Sequence, residues 1–123
     1  MKTASAYLAE AKEIVPALSP EEGIALHGSD DVVFVDVRDS QDIAASGTIA
    51  GALRIPRGFI EFAADPDMGL QNPALDRNKQ VVLVCGAGGM AALAGRTLSE
   101  MGFPRVANVG GFAAWKEAGG PTE

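Results

Sequence analysis

The residue in this chain best suited to covalent chemistry is its single cysteine, Cys85, which ends an apolar run and begins a glycine-rich turn. Residues 81–84 predict a buried strand, residues 86–89 a tight loop, and residues 91–101 a helix with one apolar face. In a strand, loop and helix arranged in this way, backbone N–H groups and the positive end of the helix dipole meet where the strand ends. They favour the thiolate, so Cys85 is a candidate nucleophile.

The loop after Cys85 is predicted to act through its backbone. We expect the N–H groups from Gly86 to Ala91 to surround an anion, as a nest at a helix N-terminus does. The glycines at positions 86, 88 and 89 allow the unusual backbone dihedral angles that such a nest requires. The side chains of Ala87, Met90 and Ala91 offer neither charge nor hydroxyl, so they cannot hold a dianion.

Charged residues follow two other apolar segments. Residues 32–37 predict a buried parallel strand that finishes in Asp36-Val37-Arg38. Such a position suits ligand contacts, but we favour a structural ion pair between Asp36 and Arg38 that holds loops together. Arg57, just past the end of the next predicted strand, is a candidate ligand for an anion, and a solvated loop arginine is the alternative.

The rest of the chain alternates helix and strand patterns. Ser19 and Glu22 form a predicted capping box, His27 is expected at a solvent-facing helix end without a role, and the last five residues are expected to fray. Helices are predicted over residues 4–15, 19–27, 39–46, 58–64 and 112–118, and strands over residues 49–56 and 105–109.

This order predicts an α/β fold with a mainly parallel sheet. In such sheets the working site lies beyond the carboxyl ends of the strands, which would bring together Cys85, the Asp36–Arg38 loop and Arg57. We divide the chain into an N-terminal helical extension, residues 1–18, and one domain, residues 19–123. The extension either packs on the sheet or pairs with a second subunit, which would make a homodimer.

Composition restricts the function classes. The net charge is −6 and no Lys/Arg cluster is present, which argues against nucleic acid and membranes as partners. One cysteine cannot form an internal disulfide, and the chain has neither a signal-peptide core nor an apolar run of membrane-spanning length. We therefore expect a cytoplasmic protein with a reduced thiol.

Taken together, the motifs make the segment from about Ser19 to Pro121 resemble a single-domain rhodanese, a sulfurtransferase. Four segments match in the right order, which is more specific than any one of them. They are Asp36-Val37-Arg38; Gly47-Thr48-Ile49-Ala50-Gly51-Ala52 with Ile55-Pro56; the loop from Cys85 to Ala91; and Gly110-Gly111 with Trp115, Gly119 and Pro121. Thr48 stands where the family usually has histidine, a change expected to affect local hydrogen bonding more than chemistry.

The resemblance implies a three-layer sandwich, with a mainly parallel sheet of about five short strands and helices on both faces. It implies that Cys85 takes sulfur from a donor such as thiosulfate, holds it as a persulfide, and passes it to a thiol, cyanide-like or protein acceptor. No cofactor and no metal are implied. The substrate-binding residues would be Gly86, Ala87, Gly88, Gly89, Met90, Ala91 and Arg57, with Asp36 and Arg38 in support.

Other interpretations stay open at this point. A non-catalytic or regulatory rhodanese-like domain would explain the uncharged loop, and Cys85 as a small buried hydrophobic residue is the ordinary fate of a free cysteine. The loop also fits a dinucleotide-binding pattern, but the next strand ends in Asn108 and lacks the acidic residue which that pattern requires. A cysteine phosphatase needs an arginine six positions after the nucleophile, and position 91 is alanine.

Overall fold

Four parallel strands form one sheet at the centre of the computed structural model, which describes residues 1–123. The strands are β1 (Val32–Asp36), β2 (Leu53–Arg54), β3 (Gln80–Cys85) and β4 (Val106–Gly111), in the spatial order β2-β1-β3-β4. β3 is central and buried on both faces, as its unbroken apolar sequence predicts. The expected α/β fold with a parallel sheet is confirmed.

Helices cover both faces of the sheet. They are α1 (Ala4–Ile14), α2 (Pro20–Leu26), α3 (Ser40–Ser46), α4 (Ile60–Ala64), α5 (Gly89–Glu100) and α6 (Phe112–Glu117), with a 3-10 turn at Arg57–Phe59. Because side chains alternate along a strand, Val81, Leu83 and Cys85 face α4 and α5, whereas Val82 and Val84 face the opposite core around Trp115. No helix combines the length and apolarity needed to cross a bilayer.

The sheet is narrower than the five or so strands expected. Ala17 forms only an isolated parallel bridge with Asn108. It does not extend into a fifth strand, because the chain leaves the sheet again at Ser19, which caps α2. The predicted strand over residues 49–56 is also shorter, with only Leu53 and Arg54 pairing to β1. Gly51 has a φ of 79° and, with Ala50, forms a turn that separates Ile49 from β2.

The C-terminal segment does not fray, contrary to the prediction. Thr122 forms an antiparallel bridge with Ile49, and Thr48 and Glu123 exchange backbone hydrogen bonds of 3.0 and 2.9 Å. The buried Trp115 indole donates to the Pro121 carbonyl at 2.9 Å. Pairing with an ordered loop therefore holds this end of the chain, an effect that composition alone does not reveal.

The prediction that His27 faces solvent is also wrong. Its ring is half-buried and packs 5.5 Å from Phe34 and 6.0 Å from Trp115, measured between ring centroids. His27 Nε2 lies 2.7 Å from the Ala50 carbonyl, which places the Nε2 proton in that hydrogen bond. His27 thus fastens the end of α2 to the loop before β2.

Helix α1 packs on α5, outside the layer next to the sheet. Ala11 of α1 and Val15, the residue that ends it, are buried, and Val15 lies over Gly95 of α5. At the rim of this contact Glu10 bonds to Lys2 and Arg96, and these hydrogen bonds, that from Lys2 first, hold the pKa of the Glu10 carboxyl below its ordinary value. α1 therefore completes the outer surface of the face on which Cys85 lies.

Gly95→Ala should destabilise the protein although alanine is the better helix former. An added Cβ would lie 2.9 Å from both methyl carbons of Val15 and 3.3 Å from Leu83, so α1 would have to move. We expect a net loss of about 1–2 kcal/mol, since overpacking outweighs the gain of roughly 1 kcal/mol in helix propensity. Urea denaturation measures the free energy of unfolding.

Gly58→Ala is the matched control, because a Cβ there meets nothing within 4 Å. Adding Val15→Ala to Gly95→Ala should give a double variant that loses less than the sum of the two single losses. Strict additivity of the two changes would contradict a direct contact between α1 and α5 at this point.

Candidate functional site

The Cys85 sulfur lies beneath the N-terminal end of α5. Strand alternation points the side chain to the α5 face, and the residue is 1 % exposed. Two backbone N–H groups donate to Sγ: that of Gly88 at 3.0 Å and that of Ala91 at 3.3 Å. Both groups belong to the first turn of α5 or its cap, whose N–H groups have no partner within the helix.

One of the three loop glycines that allow unusual dihedral angles has a left-handed backbone. Gly88, the N-cap of α5, has a φ of 96°, in the left-handed region that favours glycine. Gly86 and Gly89 do not have positive φ. Gly89 is already the first residue of α5, and its helical conformation needs no special residue.

The end of β4 fixes the loop from the side. Asn108 donates from Nδ2 to the Gly88 carbonyl at 2.9 Å and accepts at Oδ1 from the Gly110 N–H at 2.8 Å. Gly111 passes so close that a Cβ there would lie 2.4 Å from the Gly86 carbonyl oxygen. Asn108 and Gly111 therefore hold the backbone that surrounds the sulfur.

A cavity of about 600 Å³ opens above Cys85. The loop contributes one wall and α3 the other, and Cys85 lies between them. The lining residues are Arg38, Asp42, Ala45, Ser46, Cys85, Gly86, Ala87, Gly89 and Met90. Gly88 and Ala91, also predicted to bind substrate, do not line the cavity but reach the sulfur through their N–H groups.

Asp36 and Arg38 form a buried cluster with Thr48 beside the cavity. Asp36 is 0 % exposed and Arg38 is 7 % exposed, and Arg38 Nη2 lies 2.7 Å from Asp36 Oδ2. Thr48 donates from Oγ1 to the same Oδ2 at 2.7 Å. The remaining guanidinium hydrogen bonds reach Ser46 Oγ and the Gly47 carbonyl. The ion pair that we favoured from the sequence is therefore present.

The structure does not bring Arg57 to the cavity. Its guanidinium lies 3.3 Å from the Glu61 carboxylate and 3.2 Å from Thr97 Oγ1, and Arg57 is absent from the lining. Thr97 is near the C-terminal end of α5, two turns of helix away from the loop around Cys85. Arg57 thus joins the 3-10 turn and α4 to α5.

Sequence reasoning missed the residues that α3 contributes. Asp42, Ala45 and Ser46 line the cavity, and nothing in their spacing marks them. The general rule that sites lie at the carboxyl ends of parallel strands points to the segment after β1, but the facing side chains depend on how α3 packs. Asn108 was also missed as a residue that supports the loop. From the sequence it was considered only as the position where a dinucleotide-binding site would need an acidic residue.

A comparison with protein families identifies the family to which the chain is similar. The profile of the Rhodanese-like domain matches residues 19–118. The chain belongs to the rhodanese-like family. A sulfurtransferase from Allochromatium vinosum is 31 % identical over 97 residues, which cover 78 % of this chain and 82 % of the relative.

Two solved structures resemble this rhodanese-like domain closely. One is a Rhodopseudomonas palustris protein of unknown function, described as a possible tyrosine phosphatase, with 40 % identity, a TM-score of 0.94, and coverage of 100 % of this chain and 96 % of that chain. The other is the polysulfide-sulfur transferase homodimer of Wolinella succinogenes, with 33 % identity, a TM-score of 0.76, and coverage of 97 % and 85 %. In both, the likeness includes α1, since it extends beyond the residues that the family profile matches.

Thr48→Val should destabilise this rhodanese-like domain without changing the shape of the side chain. The variant removes the hydroxyl that donates to the buried Asp36 carboxylate. We expect a loss of about 1.5–3 kcal/mol in the free energy of unfolding, the range for a hydrogen bond to a charged group. Thr48→Ser, which keeps the hydroxyl, is the control in urea denaturation. Equal losses in the two variants would mean that packing, and not the hydrogen bond, is what Thr48 contributes.

Proposed function

We propose that this protein is a rhodanese-type sulfurtransferase in which Cys85 carries a sulfane sulfur as a persulfide. The observation that carries the proposal is the position of Cys85 Sγ, between two backbone N–H donors and a cavity. A cysteine with only a packing role needs neither feature. The names of the relatives, a sulfurtransferase and a polysulfide-sulfur transferase, support the same reaction class.

The first half of the reaction is a displacement at sulfur. The Cys85 thiolate attacks the outer sulfur of the donor, a new S–S bond forms at Sγ, and the old bond to the outer sulfur breaks. With thiosulfate the leaving group is sulfite, which takes the bonding electron pair, so the total charge is unchanged. The cavity gives the outer sulfur space to project from the otherwise buried thiol.

The second half returns the enzyme to its starting state. An acceptor thiolate, cyanide or a protein cysteine attacks the outer sulfur, and the Cys85 thiolate leaves with the electron pair of the S–S bond. The Gly88 and Ala91 N–H groups donate to Sγ, so they stabilise the negative charge that develops there in this step. Because a reduced thiol is required in each cycle, we place the reaction in the cytoplasm.

Two rival chemistries fit the geometry less well. A phosphatase would need a cationic clamp in the loop, whereas Ala91 occupies that position and is fully buried. A dinucleotide site would need loop N–H groups aimed at a pyrophosphate, and here those of Gly88 and Ala91 are aimed at Sγ. A regulatory domain without catalysis would explain the uncharged loop, but it gives no reason for a cavity above the thiol.

Mass spectrometry of the intact protein tests the proposal. After incubation with thiosulfate, mercaptopyruvate or a low-molecular-weight persulfide, we expect a gain of one sulfur atom that cyanide removes. Cys85→Ser is the control, and since the chain has one cysteine, any sulfur held as a persulfide is located without ambiguity. If none of these donors loads the protein and Cys85 alkylates at the rate of an ordinary thiol, the proposal is wrong and the regulatory function takes its place.

A further inference from the structure

We propose that Asp42 determines donor specificity, and that the cavity selects persulfides of uncharged or cationic low-molecular-weight thiols over dianionic donors such as thiosulfate. This inference rests on the proposed sulfurtransferase function. It starts from the charges at the cavity, where Arg38 and Asp42 are the charged residues among those that line it.

The positive charge at the cavity is already neutralised by the protein. Arg38 makes hydrogen bonds of 2.7–3.1 Å to both oxygens of the Asp36 carboxylate. Nη2 also donates to the Gly47 carbonyl at 2.8 Å, and Nη1 donates to Ser46 Oγ at 2.9 Å, so one N–H of Nη1 is the guanidinium donor without a partner. The guanidinium carbon lies 4.8 Å from the centre of the Phe112 ring. To meet an anionic donor with more than that one N–H group, Arg38 would have to give up contacts inside a buried cluster, which is costly.

The negative charge, by contrast, is free. Asp42 is exposed, and its hydrogen bonds are made by its backbone, whose N–H donates to the Asp39 carbonyl and whose carbonyl accepts from Ser46 Oγ. Its carboxylate takes part in none of the ion pairs, whereas Arg38, the cation that lines the cavity, is paired with Asp36. Among the side chains that line the cavity, the unpaired charge that a donor meets is therefore the negative charge of Asp42.

The remaining surface suits an alkyl group. Met90, which is 38 % exposed, Ala45 and Ala87 give the cavity apolar walls next to the sulfur. A short carbon chain can lie against these side chains, whereas the sulfonate oxygens of thiosulfate find no free side-chain cation there. The cavity favours a persulfide R–S–SH in which R is small and either uncharged or cationic.

The reaction with such a donor balances without another reagent. The Cys85 thiolate attacks the outer sulfur of R–S–SH, the bond between the two donor sulfurs breaks, and R–S⁻ leaves with its electron pair. The outer sulfur keeps its proton as Cys85–S–SH. The leaving thiolate and the original thiolate carry the same charge, so no oxidant or reductant is required.

Donor competition in an Asp42→Asn variant tests the inference. The donors are thiosulfate, the persulfide of 2-mercaptoethanol and the persulfide of cysteamine, and the measurement is kcat/KM for loading of Cys85. Removing one negative charge near a dianion should raise the value for thiosulfate about three- to tenfold. The kcat/KM for the persulfide of 2-mercaptoethanol should change less than about twofold, and the kcat/KM for cysteamine persulfide should fall.

Asp39→Asn is the matched control. Asp39 precedes the same helix, is exposed, makes no capping hydrogen bond with its side chain, and does not line the cavity. If the two variants change thiosulfate loading equally, or if wild-type protein prefers thiosulfate to both persulfides, the inference is overturned while the sulfurtransferase stands. If no donor loads wild-type Cys85, the sulfurtransferase itself is wrong, and the inference falls with it.

Discussion

The site depends on two hydrogen bonds from backbone N–H groups to the Cys85 sulfur. The side chains of the loop carry no charge, so the hydrogen bonds that stabilise negative charge on Sγ come from the backbone of Gly88 and Ala91. A backbone donor is effective only where the backbone is fixed. Here Asn108 holds the Gly88 carbonyl, and β4 passes too close to the loop for any residue but glycine at position 111. The chemistry of Cys85 therefore rests on the register between β3 and β4.

The hydrogen bonds around the buried pair of Asp36 and Arg38 hold the end of the neighbouring strand, β1. Burying two charges is unfavourable unless their remaining hydrogen-bonding groups are also satisfied. Thr48, Ser46 and the Gly47 carbonyl supply those partners, and the cluster thereby connects the end of β1 to the end of α3 and the turn that follows it. The consequence for function is indirect. The arginine at the cavity is held mainly by the structure, so most of its hydrogen-bond donors are not available to a ligand.

The sequence allowed most of the architecture to be predicted, because the relevant signals are local. The capping box at Ser19 and the apolar run that ends at Cys85 each have a short-range physical cause. Long-range contacts were not predictable in this way. The pairing of Thr122 with Ile49, the packing of His27 on Trp115 and the position of Arg57 against Thr97 join residues far apart in the chain. For the same reason the loop half of the site was foreseen and the α3 half was not.

The backbone and the side chains of the site have different tasks. The groups that hold the sulfur are backbone N–H groups of the loop, which a substitution of an exposed side chain does not remove. In the proposed function, the groups that a donor meets first are side chains of α3 and the loop, such as Asp42 and Met90, which are exposed. Substitutions at those positions cost little stability, since surface changes of this kind usually alter it by less than about 0.5 kcal/mol. For the proposed sulfurtransferase, the choice of donor can thus change through α3 and Met90 while the backbone around Cys85 Sγ, and the fold that fixes it, stay the same.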